Sequence, residues 1–380
     1  MTITRACYVS RSAAMRAVDF KDGIDQNDAA DRAIETASQN IDAQLHRVFY
    51  PTDTTRYFDW PNQGGSGGGQ YASPWRIWFD QNDMAVMTAL VTGGVTIPLN
   101  QVFLEPVNDG PPYTYLELDR SSTAAFGGLA QTPQHSIAIT GTWGYGADAD
   151  QVATLAANVA SGDTTITVTN GASTGAGDLL VLGYGRGSAP FPSALGYAGA
   201  IAPYTGERVL VTNVATATTG LTQSGSGVTT VSDSDQALTW TGTGALNVGE
   251  VIVLDQEQML VEQIVGSVAT VRRAWNGTTL AAHSGATIYA ERLLSVTRAM
   301  YGTTAASYTA PAAVFKHRPP PLLRDLAIAE AVNQVLQEGS GYARTIGSGA
   351  DAHPAPGADL ASKWEEAMTA HGRKARTRAV

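Results

Sequence analysis

The sequence predicts an α+β chain: a small helix–sheet–helix frame interrupted by an all-β insertion of two related modules. Three observations predict it. Helical apolar spacing near the start and end of the chain encloses a long stretch of short, turn-punctuated strands. The composition shifts after Gly146: residues 151–270 hold nine acidic residues, two basic ones (Arg186 and Arg208) and no lysine. Finally, the middle of the chain repeats itself. The expected organisation is a discontinuous frame, 1–148 and 317–380, around an inserted all-β domain, 149–316, with a submodule at about 236–290.

Each element follows from local chemistry. Residues 1–20 read as a short helix with Ser10 or Ser12 near its start. Asp25 is a good N-cap for a second helix, and Asp28 adds negative charge to its first turn. Ala30, Ile34, Ala37, Ile41, Leu45 and Val48 then recur at three- and four-residue steps, one apolar stripe that Phe49-Tyr50-Pro51 ends. Short strands are expected at Arg56 to Trp60, around Trp75 to Phe79, and at Val95 to Leu99, Val102 to Glu105, Tyr113 to Leu118 and Ser136 to Thr140. The glycine run at 64–69 reads as a long hairpin tip. After Pro319-Pro320-Pro321 a helix is expected from Leu322 to about Glu338, with Leu322, Leu326, Ala329, Asn333 and Leu336 on its apolar side. Residues 345–358 read as a linker, and Trp364 lies on a short final helix before a basic end.

The repeat has three parts. Val271-Arg272-Arg273-Ala274-Trp275-Asn276-Gly277-Thr278-Thr279 matches Val296-Thr297-Arg298-Ala299-Met300-Tyr301-Gly302-Thr303-Thr304. Gly177-Asp178 with its apolar run to Leu182 matches Gly249-Glu250 and its run to Leu254. Gly206-Glu207 and the run to Val211 match Gln256-Glu257 and the run to Val261. The first module lacks an Arg-Ala-x-x-Gly-Thr-Thr strand before the second begins, and the spare copy follows it. Nesting of module two inside module one is the economical reading; a plain tandem with decayed ends is the alternative.

Charged residues are only 15% and the net charge is −10, so the chain does not have the basic balance of a protein that grips nucleic acid, although an acidic conduit for DNA stays open. No apolar run reaches the roughly 20 residues that span a bilayer. Cys7, the single cysteine, makes no internal disulfide and reads as a packed residue. The six histidines show no metal-ligand spacing, and Gly183 to Ser188 is glycine-rich but lacks the lysine of a phosphate loop. Asp233 and Asp235 could form a calcium ligand set but read as a solvated turn, and Asn276-Gly277-Thr278 reads as a turn. No catalytic constellation stands out, so no enzyme activity and no cofactor are expected. Tyr184, Tyr197 and Tyr204 are candidate aromatic contacts for a glycan, the alternative reading being an adhesive β-domain on a virion or cell surface.

The frame carries a further pattern. It consists of Asp31 to Asp42 on the second helix, Phe49-Tyr50-Pro51, Thr55 to Asp59, Pro112 to Leu118, Ile139 to Tyr145 with its Trp143-Gly144-Tyr145, and the proline-led helix at 319–338. This ordered set resembles the head–tail connector (adaptor, or head-completion) family of long-tailed bacteriophages over about residues 10–146 and 318–380. Here some 170 residues stand between the Trp-Gly-Tyr strand and the proline, where the family has a close connection. The resemblance implies a homo-oligomeric ring in the neck of the virion, assembled in the host cytoplasm. It implies the portal protein on one side, a tail stopper or tail completion protein on the other, and genomic DNA passing through the channel without sequence-specific contact. It also implies that the C-terminal segment engages the portal, which makes Trp364, Arg373, Lys374, Arg376 and Arg378 the candidate contact residues.

Overall fold

The computed structural model describes residues 3–17, 24–60, 75–80, 82–127, 132–186, 197–198, 204–225, 227–339, 345–346, 353–354 and 360–373. Among these the chain is a mixed α+β structure with four α-helices and antiparallel strand pairings.

The helices α1 (Arg11–Ala17), α2 (Ile24–Leu45), α3 (Pro321–Gly339) and α4 (Leu360–His371) pack together. The stripe Ala30, Ile34, Ala37, Ile41 and Leu45 of α2 is buried as its spacing predicts. Each large member contributes roughly 1.5–3 kcal/mol by burial. Val48 lies beyond the helix end and is 49% exposed, so the stripe stops at Leu45. The helix begins at Ile24, which places Asp25 inside its first turn rather than before it. On α3 the buried residues are Leu323, Leu326, Ala327, Ala331 and Val335, while Leu322, Asn333 and Leu336 are only half-buried. The expected apolar side was therefore rotated by about one position, because the sequence alone does not say which of two adjoining apolar stripes meets α2.

A second, polar stripe of α2 holds the start of the chain. Asp31, Glu35, Ser38 and Asp42 recur at helical spacing. Glu35 accepts the Thr4 amide (2.8 Å), Ser38 Oγ accepts the Tyr8 amide (3.0 Å), and Asp31 takes both ends of the Arg11 guanidinium (2.6 and 2.7 Å). Asp42 accepts Arg5 (2.6 Å) and the Tyr8 hydroxyl. Ile3 and Ala6 to Val9 are consequently buried, and the first helix is confined to Arg11–Ala17 behind Ser10.

The frame sheet has the order β1 (Thr52–Phe58), β7 (Ile137–Trp143), β3 (Met84–Thr92), β4 (Val95–Ile97), and faces a three-stranded sheet of β2 (Arg76–Trp78), β6 (Tyr115–Leu118) and β5 (Val102–Glu105). Phe79, Met84, Met87, Leu90, Leu116, Ile139 and Trp143 fill the space between them. The sequence reading missed β3. Its run Met-Ala-Val-Met-Thr-Ala-Leu-Val-Thr is nearly continuous in apolar residues and rich in helix formers, and its first half, Met84 to Met87, is buried on both faces and shows no alternation. The glycine run at 64–69 lies outside the described residues. From 345–358 the described pieces are two short strands, Thr345–Ile346 and His353–Pro354, paired with each other.

The middle of the chain forms two closed six-stranded rings that share two long strands, β11 (Tyr204–Ser224) and β16 (Thr287–Met300), paired along most of their lengths. Ring 1 runs β8 (Ala149–Thr154), β17 (Ala313–His317), β10 (Leu179–Arg186), the first half of β11, the second half of β16, and β9 (Thr165–Thr167). It closes through the Leu155–Val168 bridge. Ring 2 runs from the second half of β11 through β12 (Ala237–Gly242), β15 (Val268–Arg272), β14 (Glu257–Val265) and β13 (Val251–Leu254) to the first half of β16. Numbered along the chain, the strands of each ring are joined in the same cyclic order, first–sixth–third–fourth–fifth–second. All of ring 2 falls between the fourth and fifth strands of ring 1.

Each ring has its own filled interior, Leu180, Leu182, Val209, Val211, Leu294 and Val314 in ring 1 and Leu238, Ile252, Leu254, Met259, Val261 and Ile288 in ring 2. The same ion pairs recur. Glu207 takes Arg298 through both oxygens (2.6 and 2.6 Å) and the amides of Ala299 and Ala306. Glu257 takes Arg273 likewise (3.0 and 2.8 Å) with the amides of Ala274 and Ala281. Asp178 of ring 1 and its counterpart Glu250 of ring 2 each hold a cation on the neighbouring strand, Lys316 and Arg292, with Arg292 two residues beyond the register position of Lys316. Ring 1 does not stand apart from the frame: Ala176, Leu179 and Leu210 belong to the same buried cluster as α2, α3 and Phe49.

Candidate interaction surfaces

Two places combine charge, aromatic surface and a defined geometry: the C-terminal end of the frame, and the corners at the ends of the two rings.

At the C-terminal end, α4 rests on α2 and α3 with Ala367 buried. Trp364 is half-buried against the helical core, and its indole N–H points to Glu330 Oε2 at 3.4 Å. His371 packs edge-on against Phe49 (6.1 Å) and Tyr145 (5.5 Å), and burial followed by the Arg47 charge lowers its pKa. Beyond it the Arg373 amide bonds Leu45 O (3.0 Å), one of the carbonyls left open at the end of α2. The Arg373 guanidinium reaches Asp80 O (2.7 Å), Asn82 O (3.2 Å) and the Asp83 carboxylate. Burial raises the Asp83 pKa, against the pull of Arg47 and Arg373. Of the five expected contact residues, the structure thus brings Trp364 and Arg373 to one end of the frame and engages both within the chain. Lys374, Arg376 and Arg378 lie outside the described residues.

The expected aromatic contacts are packed rather than displayed. Tyr204 is 9% exposed, Tyr184 lies against Phe315 (4.8 Å), and Tyr197 stacks on Phe103 (4.5 Å) with its hydroxyl on Asp119 (2.8 Å). Asp235 accepts the amides of Val228 and Thr230 (3.1 and 3.1 Å) and so ties a turn. No group of three or more His, Cys, Asp or Glu side chains able to hold a metal occurs among the described residues. Gly183 to Arg186 lie in β10, with the rest of the glycine-rich loop outside the described residues. Cys7 is buried, which pushes its thiol pKa well up. No helix among the described residues is long and apolar enough to cross a membrane.

No family model, curated protein or solved structure matches the chain.

The corners were not singled out by sequence reasoning, although the repeated Arg-Ala-x-x-Gly-Thr-Thr marks them. In both copies the alanine and the second and third residues after it take left-handed φ: 50°, 54° and 76° at Ala274, Asn276 and Gly277, and 55°, 53° and 80° at Ala299, Tyr301 and Gly302. The threonine that follows bonds back alike, Thr278 Oγ1 to Trp275 O (2.9 Å) and Thr303 Oγ1 to Met300 O (2.8 Å). Asn276-Gly277-Thr278 is therefore a turn, as expected.

Proposed function

We propose that the chain is a structural adaptor of a tailed-phage virion: an oligomeric ring between portal and tail that gives the genome a passage. One observation supports this reading above the others. The two ends of the frame, 170 residues apart across the rings, come back together as one packed helical unit, and Arg373 clamps its C-terminal end to α2 and to the start of β3. The basic residues Lys374, Arg376 and Arg378 thus follow a fixed exit point, as a docking tail requires. In this reading the portal contact falls on those three residues, while Trp364 and Arg373 hold the helix that presents them. The two β rings add an acidic body to that frame.

A closed ring needs head-to-tail contacts that close on rotation. Size-exclusion chromatography with light scattering, followed by electron microscopy of the purified protein and of virions, tests this. A closed ring of identical subunits at the head–tail junction is the expected result. A strictly monomeric protein absent from virions would sink the proposal.

A further inference from the structure

In ring 1 the corner at Met300–Gly302 is occupied. The extended start of β1 lies on it: the Asp53 amide donates to Tyr301 O (2.9 Å), and Arg208 binds the Asp53 carboxylate (2.9 Å) and donates to Tyr301 O (3.2 Å). Gly302 is there because the backbone of Asp53 passes so close that a Cβ would overlap its carbonyl.

In ring 2 no such segment lies on the matching corner, Trp275–Gly277, among the described residues. The Asn276 carbonyl, counterpart of Tyr301 O, accepts no hydrogen bond from a described residue. The corner forms one wall of a cleft of about 570 Å³ whose other wall is α1, and Arg11, Met15, Arg16, Arg272, Trp275 and Asn276 line it. Trp275 is half-buried, with Arg272 over its ring at 5.5 Å. Arg11 is committed to Asp31, but Arg272 meets Glu262 only through an exposed pair, and Arg16 reaches a carbonyl at 3.4 Å. Glu291 is the one acid of the lining. The cleft is therefore richer in cations than a chain of net charge −10 would supply on average.

We infer that the ring 2 corner is a docking site for an extended, carboxylate-bearing segment of another polypeptide, the counterpart of the Tyr50–Asp53 segment that ring 1 holds. The segment's backbone N–H would donate to Asn276 O, its side chains would lie on Trp275, and its carboxylate would face Arg16 and Arg272. Gln258 stands where ring 1 has Arg208, so the charge comes from the rim of the cleft rather than from the strand beneath.

The test uses the full chain and a capped peptide copying residues 50–55, Tyr-Pro-Thr-Asp-Thr-Thr, followed by saturation-transfer NMR up to about 5 mM. Saturable binding of one peptide per chain is expected. It should weaken about tenfold or more with Arg272→Glu, with Trp275→Ala, and with Asn in place of Asp in the peptide. Arg272→Glu changes an exposed side chain, so an unaltered melting temperature shows that it reports on binding rather than folding. Absence of saturable binding overturns the inference. So does binding that both protein variants leave unchanged, which would place the peptide elsewhere, for example in exchange with the segment on ring 1.

Discussion

Arg273→Ala is the sharpest test of how ring 2 is held. The Arg273 and Glu257 side chains are both 0% exposed. The guanidinium spans Glu257 and the loop carbonyls Thr230 O (2.9 Å), Ser232 O (3.3 Å) and Ala281 O, so its loss leaves the carboxylate with only the Ala274 and Ala281 amides and the buried His283 ring, and frees part of a loop at once. Removing one partner of such a pair costs about 3–5 kcal/mol, because the other charge stays buried without its guanidinium. If the roughly 77 residues from Ala215 to Glu291 unfold as a unit, their unfolding entropy is about 0.16 kcal/mol/K, and the melting step of ring 2 falls by about 20–30 °C. If the whole chain unfolds together, the fall is about 4–6 °C. Calorimetry gives the shift, and hydrogen exchange of peptides covering 257–283 locates it. The neighbouring pair Arg272–Glu262 is an internal control: its side chains are 59% and 38% exposed, so Arg272→Ala should cost less than about 1 kcal/mol. Replacing Arg273 and Glu257 together by methionine should cost less than the sum of the single changes. The reasoning fails if Arg273→Ala costs no more than Arg272→Ala, or if the double replacement is additive.

Four further outcomes are expected. His317 is buried with its Nε2–H on Phe49 O (3.1 Å), and burial lowers its pKa to about 4. The unfolded chain therefore binds the proton first, so stability is complete above pH ~6.5 and falls as pH drops towards about 4, by on the order of 3 kcal/mol; denaturant midpoints of wild type and His317→Gln across that range should diverge. Gly302→Ala places a Cβ on the Asp53 carbonyl at a φ of +80° and should cost about 2 kcal/mol or more, with lost exchange protection at the start of β1. Arg373→Ala frees the end of α4 and leaves Asp83 with Arg47 alone, about 1–3 kcal/mol, read as faster exchange in 360–371. Cys7 should resist Ellman's reagent in the native protein and react once denaturant exposes it.

Legibility in the sequence followed the periodicity of burial. The α2 stripe could be read because a helix buried on one side repeats its apolar residues every three or four positions. The inner strand β3 could not, since burial on both faces of Met84 to Met87 removes the alternation that marks a strand. The long strands β11 and β16 appeared only as short pieces, because each serves two ring interiors in turn and its pattern shifts at the bulges between them. The tyrosines at 184, 197 and 204 looked like loop aromatics; their packing partners Phe315 and Phe103 are far away in sequence.

The same division holds for function. By itself the sequence determined the mixed α+β class, the acidic balance, the helical stripe of α2 and the repeated corner residues, since these depend on residue type and local spacing alone. Only the tertiary structure decided that Glu207 and Glu257 are the buried anchors of Arg298 and Arg273, that Arg373 is spent on Asp83, and that one corner is filled while its twin holds no such segment among the described residues. Those are contacts between residues tens to hundreds of positions apart. Their pairing follows from which strands close each ring, and no local pattern in the chain carries that information.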